Sequence, residues 1–270
     1  MFANWHGFAE GPIWIKPRWP EDLARGLFSF RPHGASLAPY TGLNVGLHVG
    51  DDPQRVAFNR QTCGIELGGS LEDWIVGEQV HGTNVAVVGL EDRGRGSDDL
   101  HRPVSDVDAL VTDTPGLTLV VLTADCIPVL FFDPVKRVIA TAHSGWKGTV
   151  GHIVRNVVET MHQQFGCRAE DIDVWMGPSI RQCCYEVSET VAGIVIDQFG
   201  WQHVVKRPNK PGKYLLNLHS CVRSDLLAAG VLNDRVHDTG VCTACHTDVL
   251  FSHRAEQGRT GRLLGAVRLV

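Results

Sequence analysis

Leu117–His143 reads LTLVVLTADCIPVLFFDPVKRVIATAH and is among the most apolar stretches of the chain. It carries an apolar strand pattern with two polar interruptions. The pair Asp125-Cys126 breaks the run near its middle, and His143 closes the strand that ends it. VDALVTD before this stretch reads as a further apolar strand, and GTVGHIVRNVVETMHQQFG after it reads as one long helix. In that helix Ile153, Val154, Val157, Val158, Met161 and Phe165 fall at helical spacing, and Gly166 stops it.

The remaining pattern mixes both element types. GLFSFR predicts a first strand. In TGLNVGLHVGDDP, Gly42, Asn44, Gly46, His48 and Gly50 alternate with Leu43, Val45, Leu47 and Val49, which predicts a strand with one aliphatic face. Its other face is bare except for Asn44 and His48, and glycine within a strand marks either close approach of a ligand or tight sheet packing. DDPQRVAFNRQTCGIEL predicts a helix capped by Asp51 or Asp52, with Pro53 in its first turn. DWIVGEQVHG reads as a short strand with a polar end and RGRGSDDLHRP as a loop. DIDVWMG, RVHDTG and GRLLGAVRLV read as strands, while SETVAGIVIDQFG and NLHSCVRSDLLAAG read as helices. Without a regular βαβ alternation, this order predicts an α+β fold of mixed sheets covered by helices rather than a barrel or doubly wound sheet. Residues 1–26, with Trp5, Trp14 and Trp19, read as an irregular arm packed on a body at 27–270.

The 270 residues are 43% hydrophobic, enough for a sizeable core. A net charge of -5 and the lack of a basic stripe argue against nucleic acid and favour a small-molecule substrate. No window has the roughly 20 consecutive apolar residues of a membrane span. The N-terminus shows no basic start followed by an apolar block, so a cytoplasmic location is expected. There the eight cysteines are expected to be reduced, and are read first as ligands, nucleophiles or core residues.

Three strand ends carry candidate metal ligands: His81 in QVHG, Cys126 in TADC and His143 in TAHSGWKG. Gaps of 45 and 17 residues are unlike the short spacings of a zinc finger. They suit a catalytic site of three protein ligands with an open fourth position. A Cys with two His favours zinc, or copper, over magnesium or calcium. A buried structural cysteine with two hydrogen-bonded histidines is the alternative reading. The turn after His143 leads into a helix and carries Lys147, which suggests an anion site, although the G-K-[ST] ending of a P-loop is missing. CTACH, residues 242–246, matches the C-x-x-C-H haem pattern formally, but no export signal accompanies it. Taken singly, its C-x-x-C lacks the second pair of a structural zinc site. Adjacent Cys183 and Cys184 point apart on any regular element and are not expected to be joint ligands.

The ordered set GLNVGLHVGD, QVHG, TADCIPVLF, AHSGWKGT, GPSIRQCCYEV and CTACHTDVLFSHRAEQGRTGR resembles the laccase-domain, YfiH-like family, from Leu27 to the C-terminus. That family was first labelled polyphenol oxidase and is now described as purine nucleoside phosphorylase with adenosine deaminase activity. The resemblance implies a single-domain layered αββα sandwich with mixed β-sheets. It also implies zinc on His81, Cys126 and His143. Ser144 and Arg181-Gln182 depart from the family pattern.

The activity implied is phosphorolysis of adenosine, inosine, guanosine or methylthioadenosine to free base and (methylthio)ribose 1-phosphate. Arg60 and Lys147 are then candidates for phosphate, and Asn44 and Gln79 for ribose or base. For deamination, Glu78, Asp125 or Glu186 would shuttle the proton. Three rivals are a copper-dependent phenol oxidase, disfavoured by the lack of any His-x-His pair, a cysteine hydrolase using Cys126, and a non-catalytic protein that keeps zinc for stability.

Overall fold

A computed structural model describes residues 13–98 and 101–270. In chain order the strands and helices are β1 (Trp14–Ile15), β2 (Ala24–Ser29), α1 (Pro53–Glu66), β3 (Trp74–Val76), β4 (Val85–Val87), β5 (Ala109–Thr112), β6 (Thr118–Thr123), β7 (Ile127–Asp133) and β8 (Val138–Ser144). They continue with α2 (Trp146–Val150), α3 (Ile153–Phe165), β9 (Asp173–Met176), β10 (Glu186–Ser188), α4 (Glu189–Phe199), β11 (Val204–Lys206), β12 (Lys213–Leu216), α5 (Leu218–Ala228), β13 (Val236–Asp238) and β14 (Leu263–Leu269).

The apolar stretch Leu117–His143 is divided between two sheets. β6 belongs to a five-stranded sheet of order β1-β2-β14-β6-β3, and β7 and β8 to a six-stranded sheet of order β13-β9-β7-β8-β5-β4. Asp125 and Cys126 form the corner where the chain passes from one sheet to the other. Both sheets mix parallel and antiparallel pairs: β3 runs parallel to β6 and β4 to β5, while β7 runs antiparallel to β8 and β9. A small sheet, β10-β12-β11, completes the strands.

Because strand residues alternate between faces, each large sheet is buried on both sides. Phe28, Ile75, Leu119 and Val121 of one sheet meet Leu110, Leu130, Phe132 and Ile139 of the other. The opposite face of β7, with Ile127, Val129 and Phe131, packs on Val154, Val157 and Met161 of α3 and on Cys221, Val222 and Leu226 of α5. The outer face of the five-stranded sheet, with Trp74, Val120 and Leu264, packs under Cys63 of α1 and under Leu43 and Val45. The result is the α+β, αββα layering expected. Each fully buried Phe contributes about 1.5–3 kcal/mol of apolar transfer energy.

α1 begins as expected, with the Asp52 carboxylate accepting the backbone N–H of Gln54 and Pro53 at the first position. Two sequence expectations are corrected. Residues 42–50 form no strand: Gly42 makes a single bridge to Ser36, and Leu47–Val49 form a 3-10 turn. The Asn44 side-chain oxygen accepts the N–H of Gly46 at 2.9 Å and turns the backbone, and Gly42 and Gly50 adopt φ of 112° and 87°. The long helix is also split in two, because His152 sits at φ 63°, outside the helical region. At the N-terminus, the described part of the arm adds β1 to the edge of β2 and brings Trp19 against Phe132, where its indole N–H donates to Asp173. Trp5 lies outside the described residues.

Candidate metal centre and cavity

The corner between β6 and β7 is strained and tightly tied. Asp125 has φ 90°, a conformation that L-residues adopt only when their surroundings enforce it. Thr243 and Ser252 donate their hydroxyls to one carboxylate oxygen at 2.6 and 2.7 Å, and the backbone N–H of Arg254 donates to the other at 2.6 Å. With Asp125 so fixed, Cys126 turns its sulfur into the space at the end of the sandwich. Pro128 of β7 pairs with His143 of β8, which places His143 beside it.

His81 reaches the same point from the loop after β3, at φ 62°. Its Nε2 lies 3.9 Å from Cys126 Sγ, and its ring meets that of His143 edge-on at 4.7 Å between centroids. Asp108, which precedes β5, organises both histidines. It accepts the backbone N–H groups of Val80, His81 and Gly82 at 3.1, 3.0 and 2.7 Å, and the Nδ1–H of His143 at 2.8 Å. A carboxylate is acceptor-only, so Nδ1 of His143 carries a proton, and Nε2 is the nitrogen left to serve a metal once its own proton is displaced. Burial alone would raise the Asp108 carboxyl, but these hydrogen bonds hold it below the ordinary carboxylate range.

One donor atom each from His81, Cys126 and His143 lies within 4.8 Å of the others. The set could hold a metal ion, and its donor types match a three-ligand site of the kind zinc occupies, where bonds of roughly 2.0–2.3 Å put donors about 3.5 Å apart. A Cβ on Gly145 would lie 3.0 Å from Cys126 Sγ and 3.1 Å from His81 Cδ2, so glycine keeps this space clear. Burial opposes charge on Cys126 and His143. Their mutual attraction and hydrogen bonds outweigh it, holding the thiol down to about 6 and lifting His143, with help from Asp108, to about 9.

The three residues stand in the wall of a cavity of about 880 Å³. Leu122, Trp146, Ile180 and Tyr185 give it apolar surface, and His48, Arg254 and Arg262 bring cationic or hydrogen-bonding groups. Burial, reinforced by Arg262 and Arg60, pushes His48 down to about 4, so its ring is neutral at pH 7.

The substrate candidates read from sequence occupy varied positions. Arg60 lines the cavity, yet its guanidinium donates to the carbonyls of Val45, Gly96 and Ser97 at 2.8, 2.6 and 2.8 Å. Gln79 also lines it, with both ends of its amide paired to the backbone of Leu122. Asn44 is buried outside the lining and holds Asp51, Gly46 and the N–H of Arg262. Lys147 is exposed and extends over Trp146 rather than into the cavity. Of the proposed proton shuttles, Glu78 lines the cavity, Asp125 is tied as described, and Glu186 pairs outward with Lys210 and Arg207.

Sequence reasoning missed Asp108, one aspartate among many, and Arg254 and Arg262, which lie within the long motif 242–262 without any periodicity to single them out. It also separated two cysteine pairs that the fold unites. Cys183 and Cys184 lie in a turn, not on a regular element, so both sulfurs converge on those of Cys242 and Cys245. All eight cysteines are free thiols, and no helix among the described residues is long and apolar enough to cross a membrane.

Comparison with known proteins places these features in context. The family described as multi-copper polyphenol oxidoreductase laccase matches residues 25–270. The chain is 38% identical over 235 residues to a purine nucleoside phosphorylase, YlmD, of Geobacillus stearothermophilus, covering 87% of this chain and 86% of that one. It is 37% identical over 224 residues to adenosine deaminase RL5 from an unknown prokaryotic organism, covering 83% and 85%. The crystal structure of the Geobacillus YlmD superposes with a TM-score of 0.90 at 35% identity, covering 98% of each chain. That of Bacillus licheniformis YfiH, a hypothetical protein, gives 0.88 at 34% identity, covering 92% and 93%.

Proposed function

This chain belongs to the multi-copper polyphenol oxidoreductase laccase family, and from that premise and its cavity we propose that it is a zinc-dependent purine nucleoside phosphorylase. Adenosine, inosine, guanosine or methylthioadenosine reacts with phosphate to give free base and ribose 1-phosphate or its methylthio counterpart. The observation that carries the reading is the Cys126, His81 and His143 donor set opening onto a cavity that also presents Arg254 and Arg262. Relatives named purine nucleoside phosphorylase and adenosine deaminase support it.

In this reaction the C1′–N9 bond breaks with its electron pair leaving on the purine, which takes up a proton, while a phosphate oxygen bonds to C1′. The apolar surfaces of Leu122, Trp146, Ile180 and Tyr185 hold the flat base. Arg262 and Arg254 hold phosphate near the anomeric carbon, where a bound anion counters the positive charge that develops. Neutral His48 donates or accepts a hydrogen bond at the sugar. Arg60 and Gln79 act behind this surface, fixing the loops that present it. His81, Cys126 and His143 would hold zinc, which supplies Lewis-acid polarisation. Deamination of adenosine is a side activity of the same cavity, and Glu78, one of the carboxylates that line it, would move the proton.

The donor set also accepts copper, so the decisive experiment measures metal and turnover on one sample. Protein purified without added metal is analysed by elemental mass spectrometry, then incubated with adenosine or inosine with and without phosphate. Zinc together with phosphate-dependent release of free base is expected, and His81→Ala should lose one equivalent of the zinc along with the release. Base release that ignores phosphate, or oxygen-dependent phenol turnover in its place, overturns the reading.

A further inference from the structure

A second group of donors lies apart from the three metal-site residues. Cys183, Cys184, Cys242 and Cys245 each offer a sulfur, and all four sulfurs fall within 4.8 Å of one another. Cys245 Sγ is 3.5 Å from that of Cys183 and 3.4 Å from that of Cys184. These separations exceed the roughly 2.05 Å of a disulfide. They lie near the edge of a zinc–tetrathiolate tetrahedron, about 3.8 Å for bonds of about 2.3 Å.

The backbone is shaped around the cluster. Cys242–Cys245 is a Cys-x-x-Cys segment wound into a 3-10 turn over Thr243–Cys245. The N–H of Arg181 points at Cys242 Sγ at 3.4 Å, the kind of bond that stabilises a metal-bound thiolate. The two segments are already laid side by side, with Ser179 N–H donating to Val241 and Thr243 N–H donating to Ser179. We propose that Cys183, Cys184, Cys242 and Cys245 form a second, structural metal site that takes zinc and staples the loop after β9 to the loop after β13.

Four thiolates leave no open position for water or substrate, which assigns the site to structure rather than to chemistry. Thiolate donors select zinc, copper(I) or iron over hard cations, and zinc alone among these brings no redox activity. The staple has a purpose in this fold. From Thr239 to Arg262 the chain contains only the short 3-10 turn, and a connection of that length needs an anchor. The two stapled loops carry Ile180, Tyr185, His253 and Arg254, which form one wall of the cavity. They also grip the strained corner beside Cys126, since Ile180 N–H donates to the Asp125 carbonyl and Thr243 to its carboxylate. The site stands whichever reaction the cavity performs.

The test counts zinc in protein purified with reductant and without added metal. Wild type is expected to hold one more equivalent than Cys245→Ser and one more than Cys126→Ser, with both lost in the double variant. Cobalt substituted into Cys126→Ser should still give the strong thiolate-to-cobalt absorption of a tetrathiolate site, and Cys245→Ser should lose it. Because a serine variant can fail to fold, intact wild type is also treated with iodoacetamide before and after a strong chelator. Exposed Cys183 and Cys245 should be protected at first and labelled afterwards. Equal labelling in both states, unchanged zinc content in Cys245→Ser, or a peptide map of the reductant-free protein joining Cys245 to Cys183 or Cys184 by a disulfide each overturns the proposal.

Discussion

His143 donates its Nδ1 proton to Asp108 at 2.8 Å, and the same buried carboxylate gathers the N–H groups that shape the His81 loop. One side chain thus orients two of the three candidate metal donors. Asp108→Asn keeps the shape but removes the charge and puts a donor where only acceptors served. Metal affinity should fall by about 10- to 100-fold, as for other groups that orient a metal-bound histidine. Competition against a fluorescent chelator measures this, and an unchanged dissociation constant would remove Asp108 from that role.

Metal binding should depend on pH with a definite sign. His143, lifted to about 9, is protonated at neutral pH, while Cys126, held down to about 6, is already a thiolate. A metal ion must displace the His143 proton below about 9 and the Cys126 proton as well below about 6. This pair therefore makes affinity rise about tenfold per pH unit between those values, and more steeply below them. Calorimetry in buffers of different ionisation heat should find the pair releasing one proton at pH 7.5; no release would contradict the assignment.

Gly145→Ala adds a methyl group 3.0 Å from Cys126 Sγ. The helical backbone begins at the next residue, so neither side can retreat freely. We expect weakened metal binding and at least a tenfold loss of turnover with little change in melting temperature. Wild-type metal content in this variant would show that the donors have room to move.

Arg60 should act on stability. Its guanidinium satisfies three buried carbonyls, and charged hydrogen bonds of this kind contribute about 1.5–3 kcal/mol each before losses overlap. Arg60→Met should lower unfolding free energy by about 3 kcal/mol or more in urea titrations. A stable variant with a raised phosphate KM would instead place Arg60 on the substrate.

Arg262 and Lys147 offer a paired comparison. Arg262→Ala should raise the KM for phosphate at least tenfold while zinc content stays constant. Lys147→Ala should leave it within twofold of wild type, because this side chain lies over Trp146 outside the cavity lining. The opposite ranking would move the anion site to the turn before α2.

The sequence was most legible where local chemistry and tertiary demand agree. Asp52 and Pro53 announced α1, Gly166 ended α3, and the polar residues Cys126 and His143 beside buried strands pointed to side chains that the fold brings together with His81. Alternation misled at Gly42–Gly50, where side-chain hydrogen bonding by Asn44 overrides the period of two. Helical spacing could not show the break at His152, a single backbone angle. Asp108 and the cysteine quartet were illegible for another reason: their meaning lies in contacts across tens of residues between irregular loops, which leave no periodic trace.

The place of β14 has a consequence for how the molecule is made. Gly265 pairs with Phe28 on one side and Val121 on the other, so the last strand fills a slot between two much earlier ones. A polypeptide leaving the ribosome must hold β2 and β6 apart, both with unsatisfied edges, until β14 itself has emerged. Such long-range closure is slow and exposes strands to intermolecular pairing. Nascent chains stalled before Leu263 should therefore depend on chaperones, and the window for aggregation should close when that strand enters its slot.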